Sequence, residues 1–387
     1  MANKYPETSI ADLEASGAIL GLQDGNHGEK HPTSADYVDE GIPFVMANDI
    51  NADFLDLDNC HFISEDTAIR LRIGFSVTGD VLLTHKGTLG SVAIVKEVEP
   101  FIMLTPQVTY YRTDNTLLLN KYLCYAFRDP AFQARMRSGA DQGTRPYIGI
   151  RAQRRLRIVY PAPPIQRSIA DILSAYDDLI ENNRRRMALL EESARLLYRE
   201  WFVRLRFPGY EHTRIIDGVP DGWELKTLGE CVTLNYGKAL KAEVRVNGEY
   251  PVYGSSGIVG SHEKPLVQGP AIILGRKGNV GSVYWSSKSF YPIDTVYFVD
   301  AESSNLYLYH ALKQMHFIST DVAVPGLNRD FAYSRPLMRP TGNLLRAFLE
   351  TVTPIHAQLD KLDEMNQKLR AARDLLLPRL MSGEIAV

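Results

Sequence analysis

Lys86-Gly87-Thr88-Leu89-Gly90-Ser91-Val92 and Lys277-Gly278-Asn279-Val280-Gly281-Ser282-Val283 repeat one pattern, 191 residues apart. A lysine beside a glycine turn can offer a cation and bare backbone amides to an anion. The spacing is not that of a P-loop, and neither copy opens a helix, so a nucleotide site is not predicted. Two readings remain for the twin turns. One is a tight turn that needs positive φ. The other is a paired contact to a nucleic-acid backbone. Seven arginines (Arg135, Arg137, Arg145, Arg151, Arg154, Arg155, Arg157) crowd residues 135–157 against one acid, Asp141. Their planar forks suit phosphates and base edges. A solvated basic surface would show the same run.

Other constellations carry less. His27 and His31 stand four apart, but their glycine-rich setting argues against a helix and so against a metal site. Pro220-Asp221 followed by Glu224-Leu225-Lys226 imitates a nuclease pattern, yet its acids are too close to flank a magnesium ion from two strands. Cys60, Cys124 and Cys231 are too few and scattered for a disulfide framework or zinc module. There is no base-methylating Asn/Asp-Pro-Pro-Tyr run, no Gly-x-Ser-x-Gly elbow and no dinucleotide fingerprint. A large duplicated chain without a catalytic constellation reads as a binding or scaffolding subunit, with neither metal nor cofactor of its own.

The elements that would position these residues follow from the repeat. Each glycine turn lies between apolar runs, Asp80-Val81-Leu82-Leu83 before the first and Ala271-Ile272-Ile273-Leu274 before the second, which predicts strand, turn, strand. Length (387 residues) and composition (45% apolar, 23% charged) suit two or three globular domains. Net charge is −3, but residues 1–60 hold 12 acids and 2 bases, whereas 61–160 hold 8 acids and 14 bases. No run is long enough to span a membrane, and Met1–Ile10 lacks a signal-peptide plan, which predicts a cytoplasmic protein.

Two long helical patterns follow the two modules. Ile165, Ile169, Ile172, Tyr176, Leu179 and Asn183 step by 4 and 3, as do Val352, Ile355, Leu359, Leu362, Asn366 and Leu369. A slip near Arg186-Met187 interrupts the first. The expected seam and partner residues are Ile172, Leu179, Asn183, Leu197 and Trp201 in the first helix. Leu359, Leu362, Asn366, Leu369 and Leu376 are their counterparts in the second. A buried asparagine on a seam can fix register. The expected fold is α+β and α/β: two mixed modules, 1–160 and 208–342, alternate with helical segments 161–207 and 343–387. The helices would pair as an antiparallel coiled coil in a pseudo-two-fold repeat.

In this order, these residues resemble the specificity subunit of a type I restriction-modification system. The resemblance rests on Pro220-Asp221-Gly222-Trp223 with Leu228-Gly229, on Tyr250-Pro251-Val252-Tyr253-Gly254, and on the twin turns. It also rests on Pro163-Pro164-Ile165-Gln166, Leu197-Tyr198-Arg199-Glu200-Trp201-Phe202, and the run from Arg373 to Ile385. The second helix lacks the Pro-Pro opening and the first module lacks the Gly-Trp start. The resemblance implies two target recognition domains reading a split double-stranded DNA site, with the coiled coil setting the gap. It implies two modification subunits that use S-adenosylmethionine, and restriction subunits that use ATP and magnesium. The expected DNA-facing residues are Lys86, Gly87, Thr88, Arg145 and Tyr147 in the first module. In the second they are Lys238, Arg276, Lys277, Gly278, Asn328 and Arg329. The alternative is a coiled-coil scaffold that binds protein without DNA recognition.

Overall fold

The β-branched and aromatic runs form strands in the computed structural model, which describes residues 4–26, 28, 31–50, 54–141, 143, 146–317 and 326–387. The chain divides into two compact units, residues 1–182 with 365–387, and residues 183–364.

Unit 1 contains a four-stranded antiparallel sheet in the order Ile19–Asp24, Val108–Thr113, Val81–Lys86, Thr88–Ile94. The strand Val81–Lys86 is buried up to His85, as its nearly unbroken apolar run requires. A second sheet includes the parallel pair Ile42–Val45 and Ile102–Leu104. Glu7–Ser9 pairs with Arg157–Val159, clasping the module's two ends. Helix Asn120–Arg128 covers the first sheet, with Tyr122, Leu123 and Phe127 in the main core.

Unit 2 repeats the plan. Its four-stranded sheet has the order Asn235–Tyr236, Val296–Val299, Ala271–Gly275, Val283–Ser286. Tyr250–Gly254 lies parallel to Tyr291–Pro292, and Glu224–Thr227 pairs with Pro336–Arg339. Helix Leu306–Gln314 packs its apolar face into the core. Three late elements keep one offset, 179 residues: Ile150–Gln153 and Arg329–Tyr333, Arg157–Val159 and Pro336–Arg339, and the long helices from Pro163 and Gly342. The long helices thus repeat in step with the two elements that precede them.

The first long helix, Pro163–Tyr198, opens on two prolines, whose missing amides cost nothing there. The helix runs unbroken through Arg186-Met187, and a π-turn over Arg199–Val203 follows its end. The second, Gly342–Met381, is followed by Gly383 at φ 73°, a usual way of closing a helix.

The expected seam of the second helix coincides with its buried stripe: Val352, Leu359, Leu362 and Asn366 are buried, and Leu369 and Leu376 are half-buried. Along the first helix the stripe departs from the heptad reading. Ile172 and Leu179 are 37% and 45% exposed, whereas Leu173 and Ile180 are buried. The buried positions Ile169, Leu173, Ile180, Asn183, Ala194, Tyr198 and Phe202 follow the period of a straight α-helix, ~3.6 residues, so a 3.5-residue seam drifts off them. Leu197 and Trp201 are half-buried beside the unit 2 core.

The unit boundary cuts each long helix instead of separating helices from modules. Ile169, Ala170 and Leu173 share the unit 1 core with Leu377, Leu380 and Met381. Ala194, Tyr198 and Phe202 share the unit 2 core with Leu344, Phe348 and Val352. Each helix half is thus apolar because it completes a module's core.

Candidate nucleic-acid interface

In unit 1 the lysine–glycine turn is the tip of the hairpin between Val81–Lys86 and Thr88–Ile94, with Lys86 paired to Thr88. Gly87 and Gly90 take φ 78° and 87°, conformations that a side chain would strain. The structural reading of these glycines therefore holds. Lys86, Gly87 and Thr88 are all exposed. The segment after helix Pro130–Ser138 returns to the turn: the Gly87 amide donates to Pro146 O at 3.0 Å, and Lys86 bridges Tyr147. The Lys86 ammonium sits 6.0 Å from the centre of the half-buried Tyr147 ring. Burial, then the nearby Asp24 and Asp141, raises the Tyr147 phenol above its ordinary range. Arg145 lies outside the described residues.

Beneath this turn is a buried polar layer. His85 Nδ1 is 3.2 Å from Ile148 O and 3.1 Å from Gln153 Nε2. Gln153 Nε2 also reaches Thr109 Oγ1 and Ile148 O, and its Oε1 accepts from the Tyr111 hydroxyl at 2.6 Å. Thr109 donates to Asp24.

Unit 2 builds the same frame. Gly278 and Gly281 take φ 78° and 79°. Lys277 bridges Gly326, and the Leu327 amide donates to Arg276 O at 2.8 Å, as Ile148 does to His85 O. Lys277, Gly278 and Lys238 are exposed. The Ser255 hydroxyl accepts from the Asn279 amide, which ties the turn to the second sheet. Asn328 acts as a helix cap, accepting from the amides of Asp330 and Phe331. Arg276 and Arg329 are brought together with a residue the sequence reading missed, Tyr236. Nothing in its spacing marks it, since Tyr236 is 40 residues from one arginine and 93 from the other.

Three of the seven arginines in the basic run of unit 1 are held in ion pairs. Arg135 and Arg157 hold Glu7, and Arg154 grips Glu14 through two bonds, 2.7 and 3.0 Å. The acidic N-terminal segment thus neutralises part of the arginine cluster. His27 lies outside the described residues. Among those described, no group of three or more His, Cys, Asp or Glu could hold a metal ion. No described helix is long and apolar enough to cross a membrane.

Comparison with known proteins follows the same division. The family of type I restriction modification DNA specificity domains matches residues 22–192 and 220–331. The type I restriction enzyme MjaIX specificity subunit of Methanocaldococcus jannaschii is 24% identical over 428 residues, 99% of this chain and 97% of the relative. The HindI specificity subunit of Haemophilus influenzae is 23% identical, covering 65% of this chain and 74% of the relative. The crystal structure of a type I restriction-modification system S subunit from M. genitalium has a TM-score of 0.54 at 18% identity, covering 98% of this chain and 96% of that one.

Proposed function

Because the chain belongs to the family of type I restriction modification DNA specificity domains, and carries that domain twice, we propose that each module reads one half of a split double-stranded DNA target. The chain is a specificity subunit; such subunits are not themselves enzymes, and the catalytic activities belong to partner subunits. The observation that carries the reading is the pair of exposed lysine–glycine turns, each held by a bridge to the same following segment, Lys86 to Tyr147 and Lys277 to Gly326. Lys86, Thr88 and Tyr147 would face DNA in unit 1, with Arg145 assigned by sequence position alone. Lys238, Arg276, Lys277, Gly278, Asn328 and Arg329 would face it in unit 2. Asn328 would do so through its backbone or position, since its side-chain oxygen caps a helix.

The two long helices pair antiparallel as a spacer in this reading. Its support is the sharing of cores: the start of the first helix packs with the end of the second in unit 1, and the reverse halves share the unit 2 core. Two modification subunits dock on the spacer and use S-adenosylmethionine; restriction subunits bring ATP and magnesium. A stiff spacer makes the selectivities of two modules multiply.

The test replaces residues 1–160 with the matching module of a relative. The complex with its modification subunit is then mapped for methylated bases by long-read sequencing. One half of a bipartite motif should change. A change in both halves would mean the modules build a single site. No methylation dependent on this chain would favour a protein-binding scaffold.

A further inference from the structure

Beside the Lys277 turn, unit 2 holds two guanidinium groups on one aromatic ring. Arg276 and Arg329 each lie 5.2 Å from the Tyr236 ring centre. Each also has a second aromatic neighbour: Tyr297 at 5.7 Å from Arg276, and Tyr333 at 5.9 Å from Arg329. Tyr236 and Tyr297 are themselves 5.0 Å apart. The Tyr297 hydroxyl donates to Leu327 O, two residues before Arg329, and the Leu327 amide donates to Arg276 O. Backbone and rings therefore lock both arginines into one layer.

One donor of Arg276 is used on Asp294 O at 2.7 Å. Among the described residues, neither arginine has a carboxylate partner. Tyr236 is 49% exposed, so the layer opens to the surface. A guanidinium stacked on a ring keeps its in-plane N–H edge available, and its fork matches guanine O6 and N7. Phosphate requires only a positive charge, which the exposed Lys277 and Lys238 supply. Base reading requires fixed orientation, and stacking removes the freedom that binding would otherwise have to freeze.

We propose that Tyr236 is a specificity-determining positioning residue. It holds Arg276 and Arg329 as a pre-organised pair that reads a guanine edge in the half-site of unit 2, while Lys277 and Lys238 contact phosphate. This rests on the DNA reading above. Unit 1 places Asp24, His85 and Ile150 at the matching positions, so the guanine requirement belongs to one half-site.

The test scores methylation by the complex of this chain with its modification subunit on a library randomised through both half-sites. Tyr236→Ala and Arg329→Lys should each reduce discrimination at one guanine by roughly 10–100-fold, leaving the other half-site unchanged. Tyr236→Phe should retain it, since the ring remains. Thermal melting checks folding, and Arg329→Lys keeps charge and near-native bulk. Equal weakening on every target would make these arginines phosphate contacts and overturn the proposal while leaving DNA recognition standing. Relaxation at a base other than guanine, or a loss with Tyr236→Phe equal to that with Tyr236→Ala, would also overturn it. If wild type shows no bipartite preference, the underlying reading fails instead.

Discussion

The two modules place opposite chemistry at matching positions. Under the unit 1 turn, His85, Asp24, Thr109 and Gln153 form a buried network that uses its polarity inward. Under the unit 2 turn, Arg276 and Tyr236 direct theirs outward, and Ala332 replaces Gln153. The helix junctions differ in the same manner. In unit 1, Asp177 accepts from the Tyr125 hydroxyl at 2.6 Å and from Arg128 at 3.1 Å, and pairs with the buried Arg373 at 2.5 Å. At the matching position, 179 residues on, unit 2 has His356, 5.7 Å from His310 ring to ring. Neither histidine has a partner for Nε2 among the described residues. One backbone plan thus tolerates an ionic junction or a neutral one. The sheet order and the clasp strands carry the fold, and the polar positions are free to diverge.

Acid should expose the largest difference. Burial first holds His310 down to about 3, helped by His356 and Lys313, and holds His356 down to about 4, helped by Lys313. The unfolded chain protonates these rings near 6.5, before the folded protein does. Their contribution is therefore intact above pH 6.5 and lost as pH falls toward 4 and then 3. By pH 5 each ring should cost of order 2 kcal/mol. Denaturant melts of wild type and of His310→Gln with His356→Gln should show that difference shrinking in the double variant. Equal acid sensitivity would mean that the junction histidines do not set it.

Gln153→Leu should come next, at about 3 kcal/mol, because it strands the buried Tyr111 hydroxyl and removes the bonds to Thr109 and Ile148 O, which keep only Asp24 and His85. Tyr297→Phe in unit 2 removes one hydrogen bond, to Leu327 O, and should cost about 1 kcal/mol. Equal costs in chemical denaturation would erase the contrast between an inward and an outward polar layer. The smallest effects belong to the exposed lysines. Lys86→Ala and Lys277→Ala should each weaken binding to all DNA sequences alike and lower the salt slope by ~1. An unchanged slope for one of them would show that its turn does not touch phosphate.

The duplicated modules, the twin turns and the second helix's stripe were legible in the sequence because each depends on local rules. Positive φ selects glycine, strands select β-branched runs, and a helix facing one core repeats its apolar positions. The first helix's stripe was not legible. Ile172-Leu173 and Leu179-Ile180 are adjacent apolar pairs, and local periodicity accepts either member. Only the core packed against them decided for Leu173 and Ile180. The arginine run shows the same limit. Arg135 and Arg154 find Glu7 and Glu14 across 128 and 140 residues, and no local spacing announces an ion pair formed by chain return. Tyr236 joined its arginines in the same way, through the sheet pairing of Tyr236 with Tyr297. Sequence determined which elements exist, since backbone preference is local; tertiary structure decided which charges are spent and which are left to act, since partners meet only once the chain has folded.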